Sequence, residues 1–575
     1  MGTTDRGSGY TPPDAERRGE FVIADSSTAE VTRWIPSPSS TLGKSCVRAG
    51  TLALFVALAV AHTWPLASAP ASWSRNDNAD TVLHEWILAW VAHQAVADPL
   101  HLFDANIFYP ERYTLAYSDP LLVQSLMAAP LLWVGASPVL AYNIVLLAGF
   151  ALTGWVTSLV VARWTGNWWA GAVSGTLVAF NAFTLTRLPQ LQDQHLEFFP
   201  LVLVALDRLL VEPRLGRSLK LAFWYVMQAL TGNYLLVFTA ISIVAAFFAR
   251  SGEWAKANGR AVLPWVVLAG GASMIMLIPV LLPYYYVSRV EGLSRSLDET
   301  ATYSAHLTTY LSAAGTIHFD LWSRPFFKGD ALFPGLTALL LAGTAIAGGV
   351  AIRDRRARMA LAIGIVGFAL SFGPAFPVYR WLYAVFPLMS GIRGAVRFGQ
   401  LALVAIGLLA GFGLHAIASR LGRRGAAALS AALLFAVNLE AWRAPLGYAR
   451  YRGIPPVYDA LSKFGNRAVL VWMPFFPSHQ YQLNVPFMLV STRSWQRMLN
   501  GYSAIKPGSY HRHAAALADF PDEPSITYLQ NVGVTHILVD GRNMRPEQLQ
   551  RLSQFPALQF LLTDGNLSIY LLGGR

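Results

Sequence analysis

Charge is scarce in this chain. Asp, Glu, Lys and Arg make up 13% of its 575 residues, about half the ~25% usual in soluble domains. That is too little to coat one soluble globular domain of this length. With 54% hydrophobic residues and a mean hydropathy of +0.41, wholesale disorder is excluded as well. Cysteine is almost absent. Cys46 stands alone, so the chain forms no internal disulfide and cysteine usage says nothing of redox compartment. Lysine is rare too, supplying six of the 44 basic residues. The net charge is +12, yet no zinc spacing, RNA-binding signature or basic helix accompanies it. Nucleic acid is therefore not an expected partner. The basic residues gather instead in short loops between apolar runs, the pattern that orients a membrane protein.

What is abundant is long apolar sequence. The runs are Cys46–Leu66, Pro138–Val161, Trp168–Thr186, Leu196–Val211, Leu219–Leu230, Tyr234–Phe248, Val262–Tyr286, Leu332–Ile352, Met359–Phe372, Val396–Ile417 and Ala426–Ala441. Each is apolar around its whole circumference, as lipid-facing or bundle-buried helices are. Ala67-Ser68-Ala69 has the look of a signal cleavage site, but the long polar segment before the first run favours a retained helix. Four basic loops (Arg208–Lys220, Arg250–Arg260, Arg353–Arg358 and Arg420–Arg424) are expected in the cytoplasm. Both flanks of Leu219–Phe248 are basic, so the stretch is expected to turn back at Thr231-Gly232-Asn233. Pro120–Val134 reads as a re-entrant or interfacial segment for the same reason of parity.

The expected architecture is a polytopic α-helical membrane protein with about 11 transmembrane helices and a re-entrant segment. Residues 1–43 read as a disordered cytoplasmic tail. Residues 44–442 form the transmembrane domain, with outer loops 67–119, 287–330 and 375–395. Residues 443–575 form a small α/β domain outside the cytoplasm. Its strand-like runs are Val469–Met473, Met488–Ser491, His536–Val539 and Leu567–Leu572, alternating with helical patterns near Val457–Phe464 and Pro546–Leu552.

Candidate chemistry clusters on the outer side. Asp77 and Asp80 head an expected amphipathic helix with Val82, Leu83, Trp86, Ile87, Ala89 and Trp90 on its apolar face, lying at the membrane surface. Asp80 suits a helix cap, a base for a hydroxyl proton or an oxygen ligand of a divalent cation such as Mg or Mn. His84 lies one turn on. Asp119 precedes the re-entrant segment and is either an Asp-Pro turn former or a carboxylate at the membrane plane. Asp193, His195 and Glu197 crowd a short outer turn, where ionisable residues are unusual. Arg393 and Arg397 sit on the outer side against the orientation rule, and the guanidinium fork suits a phosphate. Arg289 and Arg295 are weaker candidates of the same kind, and Glu440 reads as reaching the interface from the end of the last span. Carboxylates for a base or metal beside arginines for a phosphate fit an amphipathic ligand such as a polyprenyl phosphate, with its head in water and its tail in lipid.

This arrangement resembles the GT-C superfamily of membrane glycosyltransferases. The resemblance rests on a tail, one span and an outer loop bearing Asp77 and Asp80. Narrower features match an uncharacterised bacterial GT-C-like subgroup: Trp86-Ile87-Leu88-Ala89-Trp90, Ile107-Phe108-Tyr109-Pro110-Glu111, Leu332-Phe333-Pro334-Gly335 and Asn500-Gly501-Tyr502-Ser503. The resemblance implies a loop-one carboxylate, Asp80 with Asp77 second, as catalytic base or metal ligand. Asp119, Asp193, His195, Arg393 and Arg397, read from their own chemistry and placement, are expected around the substrate. The resemblance also implies a polyprenyl-phosphate sugar donor and leaves the acceptor, a glycan, lipid or protein, open; the charge pattern puts the expected site on the periplasmic face of the bacterial inner membrane. The competing reading is a non-catalytic membrane protein that exports or handles lipid-linked glycans; a third is a degenerate transferase serving as a structural partner.

Overall fold

The computed structural model describes residues 41–75, 77–255, 259–292, 295–465 and 468–573. The expected tail falls outside them up to residue 40. The N-terminal helix α1 (Thr41–His62) packs along α4 (Pro138–Thr165). Phe55 is fully buried there, seated where a Cβ on Gly154 or Gly175 would collide with its ring. Between them lie α2 (Ala79–Ala97) and α3 (Leu122–Trp133), followed in the bundle by α5 (Trp168–Ala179), α6 (Phe199–Val211), α7 (Leu215–Ala229), α8 (Asn233–Ala249), α9 (Gly259–Val290), α10 (Leu336–Ala347), α11 (Arg355–Ser371), α12 (Gly399–Ala418) and α13 (Arg423–Ala441).

Among the described residues, five helical segments are long and apolar enough to cross a membrane by themselves: Ser45–His62, Pro138–Thr165, Ala261–Val290, Ala395–Ala418 and Arg423–Ala441. Several expected spans are shorter than their apolar runs because polar or glycine breaks interrupt them. Trp168–Thr186 stops at Phe180, and Asn181 caps a separate five-residue helix, its side chain accepting from Thr184 N–H. Leu332–Ile352 yields α10, closed at Gly348-Gly349. Leu219–Phe248 does break at the expected place, with α7 ending before Leu230 and α8 starting at Asn233. On α9, exposed Val267, Met274, Ile275, Met276 and Leu282 leave a wide apolar face that water would not tolerate and lipid does.

Three of the basic loops meet at one end of the bundle. Asp207 at the end of α6 holds Arg250 at 2.7 Å and Arg355 and Arg356 at 3.2 Å, and Glu253 pairs with both Arg250 and Arg358. The starts of α6 and α8 lie at the other end, about 20–25 Å away at 1.5 Å per residue.

The C-terminal region forms a mixed sheet. A two-residue ribbon, β1 (Trp73–Ser74) against β2 (Ala449–Arg450), ties its entry to the loop after α1. Strands β3 (Val469–Met473), β4 (Arg497–Met498), β5 (His536–Asp540), β6 (Leu558–Asp564) and β7 (Leu567–Leu572) lie in the order β4-β3-β5-β7-β6. β3 is parallel to β4 and β5, while β7 is antiparallel to β5 and β6. Three expected strands are present. Met488–Ser491 is instead part of a helix, Val485–Ser491, opened by Asn484 and Pro486; a short apolar run carries no period that separates the two states.

The expected surface helix α2 is a correction. Thr81 through Ala92 is buried at every position, so α2 is not amphipathic and has no apolar face free to rest on a membrane. Helices α3 and α4 cover it on one side and the C-terminal domain on the other. Trp90 meets Trp495 edge-on at 5.9 Å, and His93 stacks on Trp495 at 4.3 Å. Its polar side chains are accommodated inside: Ser74 donates to Glu85 at 2.7 Å, and Leu191 N–H donates to His84 Nδ1 at 3.4 Å.

Candidate active site at the head of α2

The site is built where the first turn of α2, the loop 187–195, the segment before α12 and one loop of the C-terminal domain converge. Asp80 is not the helix cap. Asn78 takes that role, its side chain accepting from Asp80 N–H at 2.9 Å. The Asp80 carboxylate is thus left to accept from Gln190 Nε2 at 2.9 Å and from the Tyr502 hydroxyl at 3.0 Å. Both partners fix its orientation, and neither neutralises its charge. Burial, then Asp80, push the Tyr502 hydroxyl far above its ordinary range, so it stays a donor.

Tyr502 reaches Asp80 because of the two motifs around it, which form one interface. Phe108 N–H donates to Asn500 O and Tyr109 N–H to Met498 O, extending the edge strand β4 with the loop between α2 and α3. The Asn500 side chain accepts from Trp472 N–H at 2.7 Å and donates to Trp472 O at 3.2 Å, clamping the loop to β3. Gly501 is needed for space: a Cβ there would lie 2.8 Å from the Phe108 ring. Ser503 O then accepts from Tyr481 at 2.6 Å. The motif Leu332-Phe333-Pro334-Gly335 has a separate structural reason. Gly335, at φ +97°, admits Glu440, whose carboxylate caps α10 through Thr337 N–H at 3.1 Å. Glu440 therefore binds a helix N-terminus and does not simply reach the interface.

Asp119 accepts from Asn233 N–H at 2.8 Å and from Gln192 at 3.1 Å. It fastens the start of α8, where a carboxylate is favoured by the helix dipole, to the loop that carries Asp193. Asp193 is buried, and its Oδ2 has no hydrogen-bond partner among the described residues. Burial raises both carboxyls above their ordinary range, against the opposing pull of Arg397. Burial likewise holds the His84 imidazole below its usual value.

Arg397 and Arg393 differ sharply. They do not share a helix face: Arg393 precedes the short 3-10 turn Ala395–Phe398 that contains Arg397. Arg393 pairs with Glu299 at 3.1 Å, donates to Tyr303 at 2.6 Å and is half exposed. Arg397 lies over the Tyr234 ring at 4.5 Å, and the charges of Asp193, Asp119 and Asp330 act on it. Among the described residues no hydrogen bond or ion pair engages its guanidinium. Asp330 is itself bonded to Arg187.

Two expected residues stand apart. Asp77 is exposed and pairs with Arg75 at 3.1 Å. His195 is fully buried, pairs with Glu197 at 2.9 Å and packs on Gly149 of α4. Arg295 bonds Glu299 and Ala504 O, and Arg289 lies over Tyr285. Among the described residues no three His, Cys, Asp or Glu side chains come together as a metal-holding group. Gln190, Gln192, Tyr234 and Tyr502 were not singled out for chemistry from sequence. Only Tyr502 had a signal, as part of a quoted motif.

No protein-family model matches the chain, and no curated protein does. Solved structures do. The arabinofuranosyltransferase AftD from Mycobacteria superposes with a TM-score of 0.57 at 15% identity, over 92% of this chain and 40% of AftD. ArnT from Cupriavidus metallidurans, bound to undecaprenyl phosphate, gives a TM-score of 0.45 at 13% identity, over 93% of this chain and 100% of ArnT. The oligosaccharyltransferase AglB from Archaeoglobus fulgidus, with an inhibitory peptide and a dolichol-phosphate, gives 0.44 at 10% identity, over 92% and 74%. The chain spans about 40% of the length of AftD. The likeness to AftD is one of fold, and among the described residues five helical segments are long and apolar enough to cross a membrane.

Proposed function

We propose that the chain is a GT-C-type glycosyltransferase that moves a sugar from a polyprenyl-phosphate-linked donor to an acceptor outside the cytoplasm, at the outer face of a bacterial inner membrane. One observation carries the reading. Arg397, whose guanidinium no hydrogen bond or ion pair engages among the described residues, and Asp80, an oriented carboxylate that does not cap its helix, both face His84 in one cluster at the end of the bundle opposite the basic loops. Asp80 takes the proton of the acceptor hydroxyl as its oxygen bonds to the anomeric carbon. The bond from that carbon to the phosphate oxygen breaks, and the departing phosphate is held by the Arg397 fork. The charges of Asp193 and Asp119 favour a cation at Arg397, and Asp193 offers a hydroxyl-binding oxygen to the sugar. Shorter helices meeting at breaks such as Gly232 complete the eleven crossings, with residues 443–575 outside.

The test is incubation of purified protein with a set of polyprenyl-phosphate sugars, following free polyprenyl phosphate by mass spectrometry. Release with every donor at the rate of a no-protein control overturns the reading. A periplasm-active reporter fused after Arg575 is expected to be active; a cytoplasmically active one reverses the sidedness.

A further inference from the structure

We propose that the C-terminal domain carries the acceptor subsite, and that the acceptor is a carbohydrate seated on a shelf formed by Tyr481 and Tyr502 beside Asp80. This rests on the glycosyl-transfer reading above and names the class of its second substrate. Tyr502 touches Asp80 directly, so a hydroxyl approaching the base from the C-terminal domain does so along a phenol ring. The Tyr481 ring lies 4.9 Å from that of Tyr502, tilted by 46°, and both side chains are partly exposed. Each hydroxyl is tied down, Tyr481 to Ser503 O at 2.6 Å and Tyr502 to Asp80. The rings are therefore held before any ligand arrives, which lowers the ordering cost of binding.

The surroundings favour a sugar over a peptide or a lipid. A pyranose or furanose ring has an apolar C–H face that packs on the electron-rich face of an aromatic ring, and a rim of hydroxyls that needs fixed polar partners. Both are here. Lys506 stands 4.5 Å from the Tyr481 ring centre, fastened to Ser478 O at 2.6 Å. The charges of Asp80, Arg393 and Arg295 all act on Tyr481. An extended peptide would need an open strand edge. The β4 edge at this point is already paired with Phe108 and Tyr109. A lipid chain would need an apolar groove, and this shelf is ringed by charge.

The test uses full-length protein in nanodiscs on two independent arms. The first is titration with undecaprenyl phosphate. The second is an array of bacterial envelope oligosaccharides and hydroxyl-bearing peptides. Wild type is expected to retain oligosaccharides and no peptides. Tyr481→Ala should lower that retention at least about tenfold, and Tyr481→Phe should keep it within about threefold. Undecaprenyl phosphate affinity should be unchanged in both. If Tyr481→Ala fails to fold, Tyr481→Leu, which fills the space without a ring face, takes its place with the same expectation. Silent oligosaccharide spots, retention by peptides alone, or equal retention by the ring-less variants overturns the shelf. Failure of undecaprenyl phosphate to bind wild type instead strikes the donor reading and leaves the array result standing.

Discussion

Replacing Arg397 with glutamine should weaken donor binding far more than the same change at Arg393. The Arg397 guanidinium is unengaged by hydrogen bonds or ion pairs among the described residues, so its donors are free for a phosphate. A hydrogen bond to a charged group contributes about 1.5–3 kcal/mol, which is roughly a 10- to 150-fold loss of affinity. Lysine at 397 restores the charge without the fork, and its affinity should fall between the two. Arg393 is already held by Glu299, and its side chain is 49% exposed. A charge in that position contributes at most about 1 kcal/mol, so Arg393→Gln should cost less than about fivefold. The assay is undecaprenyl phosphate titration of both variants in detergent, alongside their melting curves. Arg397→Gln binding within about threefold of wild type, at unchanged melting, would refute the argument. So would a larger loss at Arg393.

Two further outcomes follow from the same geometry. Gly501→Ala should lower stability by about 1–3 kcal/mol through overpacking against Phe108, and lower transfer by drawing Tyr502 off Asp80; apparent melting and turnover check the two together, and normal values in both would break the proposed coupling. Glu85 is buried with one carboxyl oxygen unpartnered among the described residues, and burial raises its carboxyl to about 8. Since the folded value lies above the unfolded one, the unfolded chain loses this proton first. Wild type should therefore lose up to about 1.4 kcal/mol per pH unit relative to Glu85→Gln as pH rises through 5 to 8, with the difference level above about 8. Parallel melting-versus-pH curves for the two proteins would remove Glu85 as their source.

Much of the candidate site is legible in the sequence for a simple reason: carboxylates and arginines beside apolar runs are costly and stand out. Asp80, Asp119, Asp193 and Arg397 were visible on that ground, and the break at Thr231-Gly232-Asn233 followed from charge parity. What escaped was set by contacts between distant segments. Tyr502 lies 422 positions from Asp80, and nothing local to either announces the bond. The difference between Arg393 and Arg397 depends on Glu299, which a different loop supplies. The helix α2 was misread because its apolar positions fit one face, while Thr81, His84 and Glu85 on the rest are polar yet buried. Their partners, such as Ser74 and Leu191 N–H, come from elsewhere in the fold.

The most direct test of the central claim is turnover of Asp80→Asn with a polyprenyl-phosphate sugar that wild type accepts. Asparagine keeps the size of the side chain, accepts from Tyr502 with its one carbonyl oxygen, turns its amide N–H to a Gln190 side chain that can flip to accept, and removes the base. Turnover should fall by about 10² or more, with undecaprenyl phosphate affinity and melting unchanged. Turnover close to wild type would show that Asp80 only joins the C-terminal domain to α2, and would contradict the account.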